Sequence, residues 1–399
     1  MSERPSSDAR GEHFAVRALS EHSIASLAGL LGTWGLKPSH AAPLLRSYYQ
    51  NGASLAPRCS ASSHLFPHGL HERMVASLPL RSTQLHIRQH SGDGTTKLLL
   101  QLHDLRQVEC VLMPDYREDR AAGCVSSQVG CAMGCDFCAT AQSGFARNLT
   151  AGEIVEQFLA LRAEAQSRGR RLQTLVFMGM GEPLLNLDAV IEALRRIGGN
   201  DLGGLGWRQL TVSTVGIIPG IEALAATGLN VQLALSLHAP DDATRAALLP
   251  MGRRYGVEAV LAAADAYQAR TGRTVIIQYC LLRDVNDSLD QARLLAERVA
   301  HRRMHVNILQ YNATGLSLKG KVYAAPAPGR ADAFLQELRR CGVVAHARRA
   351  RGPDIDAACG QLRQKAKENE HRTAPPPGFA NDSTRASSAE LATMLPRLT

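Results

Sequence analysis

The densest chemistry in the sequence lies in "GCVSSQVGCAMGCDFCATAQSGF", residues 123 to 145, which holds Cys124, Cys131, Cys135 and Cys138. The last three form C-x3-C-x2-C. Thiolates on so short a loop can wrap a cubane iron–sulfur cluster. Three thiolates on four irons leave one iron without a protein ligand, free to hold a small molecule. Zinc is the rival. It takes four ligands, usually in two close pairs, and no second pair occurs, although a nearby histidine could complete a site. Cys124 stands ahead of the group and fits neither set at once. Downstream, "MGMGEPL" ends an apolar run with Gly179 and Gly181, where backbone can approach a ligand closely. Glu182 follows and can accept hydrogen bonds from an ammonium group, or can be a surface residue of an ordinary turn. "VSTVG", "LSLH" and "QYN" offer Ser213, Ser236, His238 and Asn312, small hydrogen-bonding groups suited to a ribose, an adenine edge or a carboxylate. Each alone is weak, because hydroxyls at such places also cap helices. "RGPDIDAACGQL" carries Cys359 among small residues, and composition alone makes it a core cysteine.

The elements that must position these groups alternate. "AGEIVEQFLALRAEAQSR" is a helix with Ile154, Val155, Phe158 and Leu159 on one face. After it, the strands "TLVFMGMGEP", "RQLTVSTVG", "NVQLALSLHAP", "TVIIQYCLL", "MHVNILQYN" and "VVAHARRA" alternate with helices of about 10–15 residues. That rhythm predicts a parallel sheet of about six βα units, fewer than the eight of a full barrel. The fold class is therefore α/β, a partial (βα)6 TIM-like barrel, with binding residues at the strand C-terminal ends. "TTKLLLQL" and "QVECVLMP" flank "HDLRQ" as a hairpin. Ile24, Leu27, Leu30 and Leu31 have helical spacing, and "PRCSASSHLFPHG" is a loop. The expected organisation is an N-terminal helical accessory domain over 1–85, disordered up to about residue 20. A core follows over 86–365, and then a polar, Pro-rich disordered tail over 366–399.

Composition bounds the partners. The 399 residues are 45% apolar and 20% charged, an ordinary globular balance. The net charge of +9 suggests a polyanionic partner. Arg348, Arg349, Arg351, Lys319, Lys321 and Arg330 could hold phosphates, or could form a solvated face. The start, "MSERPSSDARGEHF", has no apolar signal segment, and no run is long enough to span a membrane. Nine cysteines, an odd number and clustered, point to metal or catalytic use in a cytoplasmic protein rather than to a disulfide framework.

The cysteine spacing, with an aromatic in "CDFC", resembles the radical S-adenosylmethionine (SAM) superfamily. "CVSSQVGCAMGCDFCATAQSGFARNLT", "FMGMGEPLLN", "VSTVGIIP", "LSLHAPDDATRAALLPM" and "RGPDIDAACGQL" together resemble the RlmN/Cfr family, from about 95 to 365. Members of that family are radical SAM methyltransferases that modify an adenine in RNA. The resemblance implies one [4Fe-4S] cluster on Cys131, Cys135 and Cys138, and two SAM molecules per turnover. It implies SAM contacts at Gly181, Glu182, Ser213, Ser236, Leu237, His238 and Asn312. One SAM would methylate Cys359. The second would yield a radical that removes a hydrogen from that methyl group, and the resulting carbon would add to adenine. Cys124 would then free the product by forming a disulfide with Cys359, ordinary thiol-exchange logic. Glu109 would take the ring proton, or else be a strand-edge carboxylate. Cys59, Cys110, Cys280 and Cys341 match no role.

The implied substrate is 23S rRNA, with tRNA as a further one, and C2 is preferred to C8. An electron donor such as flavodoxin and a monomeric state complete the expectation. The segment "NILQYNATGLSLKGKVYAAP" departs from the RlmN pattern, and "VSTVGIIP" leans toward Cfr. Two other readings stay open: a radical SAM enzyme acting on a peptide or small molecule, and a non-catalytic iron–sulfur or zinc RNA-binding protein. The pair Cys124 and Cys359 argues against the first, which has no need of it.

Overall fold

A computed structural model describes residues 17–53, 55 and 70–362. The chain divides into Met1–Lys365, which holds every described residue, and Ala366–Thr399, which with the expected tail lies outside them. The expected loop at 57–69 also lies outside the described residues, as does the start of the chain up to residue 16. Disorder was expected up to about residue 20, yet Leu19–Glu21 forms a 3-10 turn with Leu19 fully buried.

Three helices open the described chain: α1 (Ile24–Thr33), α2 (Ala41–Gln50) and α3 (Leu70–Ser77). Their apolar residues, Leu27, Leu31, Leu45, Tyr48 and Met74 among them, join one buried cluster with the rest of the protein. The antiparallel strands β1 (Thr83–His90), β2 (Thr96–Leu102) and β3 (Gln107–Pro114) come next. The predicted hairpin is β2–β3.

β4 (Arg120–Cys124) turns the sheet. It pairs antiparallel with β3 and parallel with β7 (Arg171–Phe177). The sequence reading named no strand here. Small residues give β4 little strand propensity of its own, and two flanking strands supply the ladder. Between β4 and β7 stand the two-stranded sheet of β5 (Gln128–Gly130) and β6 (Phe145–Asn148), the short α4 (Ala139–Gln142), and α5 (Ala151–Ser167). Thr150 and Glu153 form a capping box at the start of α5, worth about 1 kcal/mol. Glu156 on α5 is buried and accepts bonds from the backbone N–H and hydroxyl groups of both Ser82 and Thr83, which fixes the start of β1.

The βα alternation then runs as the periodicity predicted. It comprises α6 (Leu187–Gly198), β8 (Leu210–Thr214), α7 (Ile218–Ala226), β9 (Gln232–Ser236), α8 (Asp242–Leu248) and α9 (Val257–Thr271). It continues through β10 (Val275–Leu281), α10 (Leu289–Val299), β11 (Met304–Gln310), α11 (Arg330–Arg340) and β12 (Ala345–Arg348). The sheet order is β1-β2-β3-β4-β7-β8-β9-β10-β11-β12, with β1 and β12 as open edges. The sheet is thus a partial barrel, parallel from β4 onward and extended by the antiparallel strands. Among the described residues no helix is long and apolar enough to cross a membrane.

Candidate active site

The three-cysteine loop hangs from the β5–β6 sheet. Gly130 closes β5 with φ +77°, and a Cβ there would lie 1.9 Å from the Gly144 carbonyl oxygen. The adjacent Cys131 N–H donates to that same oxygen at 2.8 Å. Asp136, between Cys135 and Cys138, is fully buried. It accepts from the Tyr323 hydroxyl at 2.6 Å and the Lys319 N–H at 2.9 Å. The segment that departs from the RlmN pattern is therefore what braces the cysteine loop.

Cys131, Cys135 and Cys138 carry free thiols. Burial pushes the Cys131 thiol up to about 12 and the Cys135 thiol well above its usual value, and neighbouring thiols and Glu182 add to both. Such a group is held as thiolates only against positive charge. Among the described residues no three ligating side chains converge on a single-ion position. The donor set suits a cluster that takes each thiolate at its own iron better than one zinc ion.

The three thiols line one side of a cavity of about 170 Å³. Its other walls come from the C-terminal ends of β7 to β11, and include Gly181, Glu182, Ser213, Ser236, His238, Asn312 and Cys359. Gly181 has φ +98°, and a Cβ on it would lie 2.5 Å from the Cβ of Gln128. Close approach of protein, not only of ligand, demands this glycine. Glu182 donates its N–H to Gln128 Oε1 at 2.8 Å. Its carboxylate accepts from the Leu184 N–H at 3.1 Å and the Val215 N–H at 2.9 Å. The Thr214 side chain also bonds to the carboxylate, and burial pushes the carboxyl up to about 7. Ser213 and Ser236 face each other across β8 and β9, their hydroxyls 3.5 Å apart.

His238 takes φ +58°, unusual for a side chain of its size. Its Nδ1 accepts the Cys280 N–H at 3.0 Å, which puts the proton on Nε2. Burial, helped by Arg245, lowers its pKa to about 3, so the ring is neutral. It packs edge-on to Phe137 at 5.1 Å between centroids. Leu237 differs from the other expected contacts. It is fully buried, donates its N–H to the Gln278 carbonyl, and does not line the cavity.

Cys359 lies at the cavity on the loop after β12. This loop is stitched at both ends. At its start, Asp354 accepts from the Ser91 hydroxyl at 2.6 Å, and the Gly352 N–H donates to Asp93 at 3.1 Å. At its end, the Gly360 carbonyl accepts from the Ala139 N–H at 2.7 Å, and the Leu362 carbonyl from the Thr140 hydroxyl at 2.9 Å. Asn312 Nδ2 donates to the Cys359 carbonyl at 3.4 Å. The Cys359 thiol is accessible to solvent yet crowded by protein. That crowding raises its pKa, Arg348 lowers it, and Cys138 raises it.

Cys124, at the end of β4, lies close enough to Cys359 to feel its charge. Burial pushes the Cys124 thiol up to about 12, and the Met178 N–H donates to it. Cys124 pairs across the sheet with Val111, two residues along β3 from Glu109, so Glu109 shares its face. Glu109 is buried and ion-paired with Lys97 at 3.0 Å.

The fold brings Cys131, Cys135, Cys138, Cys359 and all the expected SAM contacts except Leu237 to one cavity, while Cys124 and Glu109 lie outside its lining. Sequence reasoning missed Lys97. It also missed Cys280 and Gln278, which line the cavity from alternate positions of β10. A lysine inside the apolar run "TTKLLLQL" was a signal, because a buried charge needs a partner.

An open parallel barrel with a three-cysteine loop over its strand ends defines a radical SAM enzyme. The Radical SAM superfamily model matches residues 125–295. A protein from Opitutus terrae, named a probable dual-specificity RNA methyltransferase RlmN 1, is 63% identical over 88% of this chain and 98% of its own length. One from Thermotoga neapolitana, named a probable dual-specificity RNA methyltransferase RlmN, is 45% identical over 69% of this chain and 77% of its own. A crystal structure of a radical SAM methyltransferase from Sphaerobacter thermophilus superposes with a TM-score of 0.80 at 38% identity. The match covers 88% of this chain and all of that one. The chain belongs to the RlmN family of radical SAM RNA methyltransferases. Its cofactors are those of the family, one [4Fe-4S] cluster and SAM.

Proposed function

We propose that the protein methylates an adenine carbon in RNA, C2 rather than C8, using Cys359 as the methyl carrier and Cys124 as the releasing thiol. The observation that carries this is that Cys359 lines the three-cysteine cavity and that Cys124, from a distant part of the chain, lies within electrostatic range of it. A radical SAM enzyme for a peptide or small molecule has no use for that pair. Adenine C2 is an electron-poor sp2 carbon, so it does not displace a methyl group from SAM as an amine would.

Cys131, Cys135 and Cys138 would hold the cluster. Glu182, Ser213, Ser236, His238 and Asn312 would hold SAM, with Gly181 leaving room beside them and Leu237, outside the cavity lining, only packing between Ser236 and His238. Neutral His238 donates from Nε2, and Glu182 accepts the ammonium. When bound, this group supplies one-electron chemistry: hydrogen abstraction from the methyl carried by Cys359, and uptake of the electron the RNA adduct later gives up. The Cys359 methylene adds to the ring. Glu109 accepts the ring proton. The Cys124 thiol then attacks the Cys359 sulfur and gives up its proton. An S–S bond forms and the S–CH2 bond breaks. The bond pair stays on the methylene carbon, which takes up the proton lost by Cys124 and becomes the methyl group. Two SAM molecules are consumed per turnover, one for each arriving methyl and one for each radical.

The substrates are 23S rRNA and tRNA; the "dual-specificity" in the relatives' names supports two RNA classes. Exposed Arg348 and Arg349 beside the Cys359 loop would meet the phosphates. A flavodoxin-type donor would reduce a monomeric enzyme, with exposed Lys319 and Lys321 near the cysteine loop to meet its acidic surface.

Two variants test the scheme. Cys124→Ala should accumulate a covalent RNA–protein adduct on a denaturing gel, and Cys359→Ala should give none. Absence of adduct from both would remove the two-thiol mechanism. Mass spectrometry of nucleosides from cells with and without the gene reads the position: loss of 2-methyladenosine supports C2, and loss of 8-methyladenosine refutes it.

A further inference from the structure

Lys97 is a charge in a place where charges are rare. It sits on β2, 4% exposed, with its ammonium 3.0 Å from Glu109, itself 1% exposed. Removing two such groups from water costs several kcal/mol per ion, and one ion pair seldom repays that in stability alone. The register adds direction. Lys97 pairs with Val111, and Val111 pairs with Cys124, so Lys97, Val111 and Cys124 form one row across β2, β3 and β4 on a single face. The ammonium also donates to the carbonyl of Asp356 at 3.4 Å. Asp356 lies on the Cys359 loop and has φ +52°, a strained geometry for a residue with a side chain.

We propose that Lys97 is a positioning residue for release of the RNA adduct. One ammonium holds both the Glu109 carboxylate and the backbone that presents Cys359, and so fixes the distance between the proton acceptor and the methyl carrier. The inference rests on the reading of Glu109 as that acceptor. It separates Lys97 from a purely structural ion pair because it names one step: resolution of the adduct, not formation of the carrier.

The test uses the cluster-reconstituted full chain with SAM, a reductant and an RNA fragment, quenched over time. Denaturing gels read the lifetime of the covalent adduct. Mass spectrometry reads methylation of Cys359 in the same samples. Glu109→Gln should hold the adduct. Lys97→Gln should methylate Cys359 normally yet lengthen the adduct lifetime about tenfold or more, within the range a misplacement of about 1 Å produces. Lys97→Arg keeps the charge but moves it, and should lengthen the lifetime about threefold. If Glu109→Gln holds the adduct while Lys97→Gln resolves it at the unsubstituted rate, the positioning role is overturned and the base stands. If Glu109→Gln itself resolves normally, the base reading fails and takes this inference with it. Should Lys97→Gln lose cooperative unfolding and Cys359 methylation together, Lys97→Arg decides. Slowed resolution with normal methylation supports the role, and the unsubstituted rate overturns it.

Discussion

In the proposed SAM site, the single side chain of Glu182 would carry both affinity and its pH dependence. Burial raises its carboxyl to about 7, against the pull of the Val215 and Leu184 N–H groups. A cationic ligand needs the ionised form, so ligand binding lowers this pKa and releases a proton near neutral pH. Below pH 7 that proton must first be removed from a carboxyl already protonated. SAM affinity should therefore fall by up to about tenfold per pH unit below 7, and level off above it. Calorimetry in buffers of different ionisation enthalpy reads both the affinity and the released proton. Glu182→Gln should bind about 30-fold more weakly at pH 8, the scale of one hydrogen bond to a charge, and should lose the pH dependence. An unchanged slope in that variant would remove Glu182 from the ammonium site. Glu182 and the three cluster cysteines were legible because their signals are local: a spacing, and a glycine-flanked acid. The pairing of Lys97 with Glu109 was not, because it depends on register across a hairpin, which two short apolar runs leave open.

Among the elements, the β5–β6 sheet has the narrowest tolerance. Its turn requires positive φ at Gly130, and a side chain there would strike the carbonyl that anchors Cys131. Gly130→Ala should cost about 1–3 kcal/mol in local strain, and much of the bound iron with it. Gly228, at φ +70° beyond the end of α7, has nothing within 4 Å of a built Cβ. Gly228→Ala is the control. It should lower stability by about 1 kcal/mol and leave iron per chain unchanged. Equal iron in both variants would show that the sheet does not set the loop. The sequence reading found the strands with apolar runs and missed β1, β4, β5 and β6. β4 is built of Arg120, Ala121, Ala122, Gly123 and Cys124, and is a strand only because β3 and β7 close on it. β1 alternates burial too weakly to stand out.

For the whole molecule, the +9 charge fits the RNA the family modifies. Replacing Arg348 or Arg349 with Ala should lower the slope of log affinity against log salt by about 0.7 each for single-stranded RNA, measured by fluorescence anisotropy. An unchanged slope would mark them as a solvated face. The sequence singled out Cys124 and Cys359, but only the fold shows what surrounds either. Two anchored carbonyls bracket Cys359. Lys97 holds that of Asp356, and the Ala139 N–H holds that of Gly360. Both residues take positive φ. The backbone between them is tied down as well: Ala357 donates its N–H to the Gly352 carbonyl, Ala358 exchanges hydrogen bonds with Gln361, and the Asn312 amide holds the Cys359 carbonyl. In the proposed mechanism the Cys359 sulfur therefore has side-chain rotation alone with which to pass between a methyl donor, a base and a second thiol, as a gate arm swings on a fixed post.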